Sequence, residues 1–167
     1  DGSHAHVLSD TVRGEQKTIE SHENGAEYAS TGGITSFTST GFTLANDDHY
    51  NGNGFDMSSW TFRKAPGFFD VVTYTGTGSA RTVAHNLGSV PGMILVKETS
   101  GGGGWWDVYH RGLNKGVTPQ NYRIYLNDTG TEGDYDSHWN DTAPTASNFT
   151  VGTNSAVNAN GATYVAY

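Results

Sequence analysis

The chain has 167 residues, enough for one domain or two small ones, and a body of that size buries roughly 70% of its unfolded surface. Its 17 acidic and 9 basic side chains give a net charge of −8, a field that repels phosphate backbones and anionic lipid; nucleic acid is not expected as a partner, and with no stretch approaching 18 apolar residues neither is membrane insertion. The absence of cysteine excludes disulfides, thiolate metal sites and a Cys nucleophile.

Leu, Ile, Val and Phe together supply only 29 residues, a shortage that points toward disorder, but four Trp, nine Tyr and seven Phe supply large buried area per side chain and overrule it. Gly, Ser, Thr and Asn make up 71 residues, a turn-rich mixture poor in strong helix formers, and the expected fold class is all-β. Residues 34–37 (ITSF) and 42–44 (FTL) alternate between apolar and polar positions, as half-buried strands do. The runs 68–75 (FFDVVTYT), 93–96 (MILV), 105–109 (WWDVY) and 122–126 (YRIYL) are β-branched or aromatic and bounded by Gly, Pro or Asn, and none reaches helix length. Asn-Gly pairs at Asn24-Gly25, Asn51-Gly52, Asn53-Gly54 and Asn160-Gly161 predict tight hairpin turns, and the Gly52/Gly54 and Gly76/Gly78 pairs read the same way. Pro91 suits a strand start or an edge, and Gly101 to Gly104 a loop or flexible hairpin tip.

The most informative feature is an internal match. Phe42-Thr-Leu44 sets against Phe149-Thr-Val151, and without a gap Asn51 falls on Asn158, Asn53 on Asn160 and Gly54 on Gly161. After a two-residue slip, Trp60-Thr-Phe62 falls on Val165-Ala-Tyr167; upstream, Arg13-Gly14 and Arg111-Gly112 hold comparable places. The match predicts a duplicated β unit: residues 1–63 a partial first repeat, 64–72 a connecting segment, and 73–167 a second repeat that is incomplete at its C-terminal end. The first copy lacks the strands that the second has between Phe69 and Trp106.

No chemical motif marks a reaction. There is no G-x-S-x-G elbow, the G-x-G pairs lack a third glycine and a following helix, and no pair of carboxylates stands out; the expectation is no enzyme, no catalytic residue and no cofactor. His4 and His6 share one face of a strand, with His22 as a third candidate ligand, but no H-E-x-x-H occurs and no metal site is assigned; His85, His110 and His138 read as rings packed beside aromatics with one nitrogen bonded to backbone. The acidic stretch that includes Asp134 and Asp136 fails the calcium-loop spacing and reads as solvated, with calcium left open. Carbohydrate sites need a flat ring for stacking and nearby Asp, Asn or backbone groups, which makes Trp105, Trp106, Tyr135 and Trp139 the candidate ligand-stacking residues; adjacent strand positions face opposite ways, so of Trp105 and Trp106 at least one belongs to the core.

The run from Trp60 to Gly76 (WTFRKAPGFFDVVTYTG), Arg81-Thr-Val-Ala-His-Asn-Leu-Gly88 and Val90-Pro-Gly-Met-Ile-Leu-Val-Lys97 resembles the repeated β-rich domains of tail-fibre-like virion proteins in marine tailed phages of the cyanophage type. The likeness continues through Trp106-Asp-Val-Tyr-His-Arg-Gly112 and Asn160-Gly-Ala-Thr-Tyr-Val-Ala-Tyr167 and spans most of residues 10–167; the four-glycine run at Gly101 departs from it. The resemblance implies antiparallel β-sandwich modules of jelly-roll or lectin-like kind in tandem. It further implies a structural protein of the virion, at the tail or an appendage, serving assembly and host attachment. The partners it implies are further copies, with a homotrimer expected, other virion proteins and a host surface glycan. The alternative is a lectin-like module whose function is carbohydrate binding.

Overall fold

The computed structural model describes residues 5–167. In chain order the elements are β1 (Val7–Leu8), β2 (Lys17–Glu20), β3 (Tyr28–Ala29), β4 (Ile34–Phe37), β5 (Phe42–Leu44), the one-turn helix α1 (Asp48–Asn51), β6 (Val72–Thr75), β7 (Arg81–Ala84), β8 (Met93–Glu98), β9 (Asp107–His110), β10 (Tyr122–Tyr125), β11 (Gly133–Asp134), α2 (Asp136–Trp139), β12 (Asn148–Val151), α3 (Ser155–Asn158) and β13 (Thr163–Ala166). Two 3₁₀ turns, Leu113–Gly116 and Pro119–Asn121, link β9 to β10. The molecule is mostly β, and its strand pairings are antiparallel.

A six-stranded sheet in the order β11-β10-β9-β8-β13-β6 organises everything else; β1-β2-β3 form a second sheet, and β12-β7 and β4-β5 are two-stranded. Successive side chains of a strand point to opposite faces, and here both faces are covered. On one face Ile94, Val96, Tyr109, Tyr164 and Ala166 meet Val83 of β7, Phe149 and Val151 of β12, Val157 of α3 and Trp139 of α2. On the other, Leu95, Trp106, Val165 and Tyr167 meet Ile19 and Leu8 of the three-stranded sheet. Tyr74 and Tyr164, directly opposite across β6 and β13, stack with centroids 5.1 Å apart, a cross-strand pair that helps fix the register.

The predicted runs mark strands, with four differences, of which the smallest is that the 105–109 run is a strand only from Asp107. The 68–75 run is a strand only from Val72. Before it, Phe68 N–H donates to Ala65 O across a turn centred on Pro66 and Gly67, with Gly67 at φ +71°, the position a type II turn gives to glycine. The Asn-Gly pairs do not make two-residue hairpins. That turn needs positive φ at both central residues, and Asn24, Asn51, Asn53 and Asn160 are not among the positive-φ residues. Gly52 instead ends α1, and Gly54 and Gly161, at φ +81° and +79°, turn the chain after α1 and α3. Gly76 and Gly78 are likewise no hairpin, because β6 pairs with β13 and β7 with β12, so this connection crosses between sheets.

At an offset of 107 residues the two matched stretches run through the same elements. A strand (β5 or β12) leads to an N-cap whose side chain accepts an amide hydrogen bond (Asp47 from His49, Asn154 from Ala156), one helical turn (α1 or α3), and a positive-φ glycine. The surroundings differ in depth: Phe149 is buried opposite Val83, whereas Phe42 is half-buried opposite Phe37 in a hairpin with β4. They differ most at Trp60-Thr-Phe62, which is not a strand, while its counterpart lies in and just beyond β13.

A Cβ at Gly76 would run into the carbonyl oxygen of Ala159, whereas one at Gly25 meets nothing within 4 Å and needs no positive φ. Gly76→Ala should therefore lower stability by about 2 kcal/mol, and Gly25→Ala should stay within about 0.5 kcal/mol, as read from urea unfolding midpoints.

Candidate functional site

Pairing of Tyr125 with Asp107, and of Arg123 with Gly133 on the far side of β10, lines up odd-numbered side chains on one face of the sheet near its β11 edge. Trp105 stacks on Tyr125 with centroids 5.1 Å apart and planes at 27°. The guanidinium carbon of Arg123 sits 3.6 Å over the Tyr125 ring and 4.4 Å over the Tyr135 ring, a cation held between two π faces. Gly133 makes the arrangement possible, since a side chain there would collide with the ring of Tyr135.

Beneath this layer Asp107 is fully buried, with Oδ1 3.2 Å from His138 Nε2 and 4.0 Å from Arg123 Nε. Neither approach has hydrogen-bond geometry, and within the described residues both Asp107 oxygens, both His138 nitrogens, Arg123 Nε and Trp139 Nε1 lack a hydrogen-bond partner. His138 thus departs from the expected backbone-bonded ring, whereas His85 and His110 follow it, their Nδ1 atoms accepting from the amides of Leu87 and Gly112. The zero exposure of Asp107 keeps its carboxyl group away from any ligand on the surface.

The four candidate stacking residues separate here. Trp106 is 0% exposed, with its indole N–H donating to Glu20 O, and Trp139 is 2% exposed against Tyr109; neither offers a face to a ligand, because each fills one of the two cores. Trp105 (37% exposed) and Tyr135 (45%) keep a free edge on either side of Tyr125 and Arg123. No sequence motif singles out Arg123, Tyr125 or Asp107, and His138 reads from sequence only as a packed ring. Strand alternation groups Asp107 with Trp105 and Arg123 with Tyr125, but only the pairing register brings the groups together.

Two concavities lie elsewhere. An apolar cleft of about 70 Å³ beside Phe68, His85, Met93, Phe149 and Tyr167 is far below the several hundred Å³ of ordinary ligand pockets. An open groove of about 410 Å³, lined by Ser21, His22, Leu126, Asn127, Asp128 and Thr129, runs where β2 and β10 end. His4 lies outside the described residues; the rings of His6 and His22 meet edge-on with centroids 5.9 Å apart, and among the described residues no three His, Asp or Glu side chains are placed to share a metal ion.

A family model described as "Domain of unknown function (DUF7483)" matches residues 1–167. The chain belongs to this family. No curated protein and no solved structure matches it.

In this DUF7483 domain the seam between the three-stranded and six-stranded sheets carries the strongest electrostatics. Arg13 Nε donates to Asp10 Oδ2 at 2.5 Å, the Tyr167 hydroxyl donates to the same oxygen at 2.7 Å, and Arg13 reaches Glu27 and the Leu8 carbonyl at 3.2 and 3.1 Å. Burial alone would raise the Asp10 carboxyl, but the Arg13 charge and the hydrogen bonds from Arg13 and Tyr167 hold it below the usual carboxylate range. Burial keeps the Tyr167 hydroxyl far above the phenol range against the opposing pull of Arg13.

Lys97 is buried at the same seam, its ammonium donating to Asn24 O at 3.0 Å and to Gly104 O. Burial lowers it to about 8, with Glu98 and Asp107 offsetting only part. Between that value and the ordinary lysine range the unfolded chain binds the extra proton, so folding stability should rise from pH 8 toward 10 by on the order of 1 kcal/mol. Above about 10 it should fall, as Tyr74, Tyr164 and Tyr167, all raised by burial, lose protons only in the unfolded chain. Urea melts across this range check the curve, and Lys97→Met should abolish its rising limb.

Proposed function

We propose that this domain is a non-enzymatic structural module of a tailed-phage virion, part of a tail fibre or similar appendage, built from tandem β-sandwich repeats and serving assembly and host attachment. The observation that carries this reading is the seam. The two proposed repeats cover one another: Ile19 and Leu8 of the first pack on Trp106, Val165 and Tyr167 of the second, and Asp10 and Arg13 close over Tyr167. Repeat arrays gain stability in this way, each unit burying a face that its neighbour supplies. The six-stranded sheet with β7 and β12 across its first core forms the sandwich of the second repeat, and β1-β2-β3 with β4-β5 form the partial first one. The phage assignment itself rests on the resemblance of the 60–97 segment and of the matching stretches between Trp106 and Tyr167. A homotrimer is the arrangement proposed for the assembled appendage.

The glycine run fits the seam as well. A Cβ at Gly103 would strike the Asn24 carbonyl, and Gly104 N–H donates to that same oxygen at 2.8 Å, so this loop approaches the first stretch as closely as backbone allows.

Immunogold labelling with antibody to the domain, on particles of a tailed phage whose genome encodes it, should mark the tail or an appendage. Unlabelled particles that still contain the polypeptide by mass spectrometry would point to a buried location, and particles lacking the polypeptide would end the proposal.

A second reading, carbohydrate binding at the same module, is favoured by one observation: Trp105 and Tyr135 keep exposed edges beside the Arg123 guanidinium, joining stacking surface to hydrogen-bond donors. On a glycan array the domain should retain at least one host-surface glycan. Trp105→Ala or Tyr135→Ala should weaken that binding about tenfold, the loss of one stacking contact, with the melting temperature little changed. An array without signal sinks this reading.

A further inference from the structure

Residues 56–62 carry large apolar side chains outside any strand, with the Phe62 ring against those of Phe68 and Phe69 at centroid distances of 6.3 and 5.4 Å. Trp60 is 84% exposed, and Phe55, Met57 and Phe62 are each about half exposed, an apolar row on a chain whose other large rings are mostly covered. Among the described residues, 56–64 form no strand pairing and make no backbone-to-backbone hydrogen bond.

The offset of 107 residues places Met57, Ser58, Ser59 and Trp60 on Tyr164, Val165, Ala166 and Tyr167. Those residues begin in β13, a central strand buried from Tyr164 to Ala166 and hydrogen-bonded to β8 on one side and β6 on the other. The two-residue slip noted for Trp60-Thr-Phe62 changes the pairing but not the face, because side chains alternate with a period of two; in either register Trp60 belongs with Val165 and Tyr167.

The remaining strands repeat the same order. The sheet β3-β2-β1 corresponds to β11-β10-β9, with Val7-Leu8 in the place of Asp107-Val108 by strand register. Beyond β9 the second sheet continues with β8, β13 and β6. Beyond β1, among the described residues, it stops.

We infer that residues 56–62 are a β-strand completed by two strands of the β6 and β8 type, supplied by the remainder of this same first repeat, the counterpart of residues 64–106, N-terminal to His6 in the same polypeptide. The inference rests on the tandem-repeat part of the proposed function. The completed order is β3-β2-β1, an added β8-type strand, residues 56–62, and an added β6-type strand. Trp60 then sits where Tyr167 sits, and its indole is covered.

Connectivity decides the source. In the second repeat β8 reaches β9 through the short loop 99–106, so the strand beside β1 enters by an equally short connection to β1. A separate molecule is the poorer donor, since its own β13 already fills the place between its β6 and β8 and would have to be released.

The test appends a duplicate of residues 64–106 directly ahead of His6 in the otherwise intact chain. Subtracting the emission of its Trp60→Phe variant isolates the Trp60 signal. The Trp60 emission should shift to the blue and its acrylamide quenching should fall severalfold. Amide exchange of residues 56–62 should slow by on the order of 100-fold, the protection of a paired strand.

The inference fails if the appended segment becomes protected while residues 56–62 do not, and equally if the appended segment stays unprotected, since the repeat is then not completed by such strands. Sedimentation of the unextended chain supplies the other arm: a dimer that covers Trp60 and is returned to monomer by Trp60→Asp makes a second copy the occupant and overturns the assignment to one polypeptide. None of these outcomes depends on whether the protein is found in a virion, which the labelling experiment reads separately.

Discussion

Burial on both faces of the β8–β13 pair is the constraint on which the rest of the molecule depends. Val165 and Val96 are fully enclosed from opposite sides of the sheet, one toward the three-stranded sheet and the other toward β7 and β12. A sheet covered on one side only would leave Leu95, Trp106 and Tyr167 in water, a loss of about 1.5–3 kcal/mol for each large apolar side chain. The N-terminal stretch therefore contributes to one of the two cores that cover the six-stranded sheet.

The same two-sided burial explains where the polar groups cluster. Lys97 follows Val96 in the central strand β8 and cannot reach open water, so its ammonium is satisfied by the carbonyls of Asn24 and Gly104 at the seam. Asp10, Arg13 and Tyr167 form a second enclosed group whose charges balance one another. Asp107 is the contrasting case. It lies on the other face near Arg123 and His138 with no hydrogen bond among the described residues, while the Arg123 guanidinium sits over the rings of Tyr125 and Tyr135. Seam and aromatic face are thus consequences of one sheet: Trp106, just before β9, looks to the first stretch, while Asp107 and Tyr109 lie on the face shared with Arg123 and Tyr125.

For function, the two halves of the proposal draw on different parts of this arrangement. Assembly rests on unit-to-unit burial and on the exposed row around Trp60, which asks for strands that the described residues do not supply. Attachment rests on the aromatic edge, where Trp105 and Tyr135 remain accessible because Trp106 and Trp139 have been taken into the two cores.

Sequence by itself determined the strand content: aromatic and β-branched runs of four to six residues, separated by glycine and asparagine, can bury area only as short strands, and β4, β5, β8 and β10 lie where those runs are. It also determined that Trp105 and Trp106 part company, since alternation alone sends neighbours to opposite faces. It did not reveal the turn chemistry: Asn24-Gly25 lies in the longer connection between the paired strands β2 and β3, and the other Asn-Gly pairs lie at or just after helical turns, between strands that do not pair with each other. Nor did it assemble Asp107, Arg123, Tyr125, Tyr135 and His138, which come from β9, β10, the β11–α2 junction and α2. Their meeting is a matter of register and helix placement, set by contacts far apart along the chain, and such contacts leave no local pattern for a reader of the sequence to find.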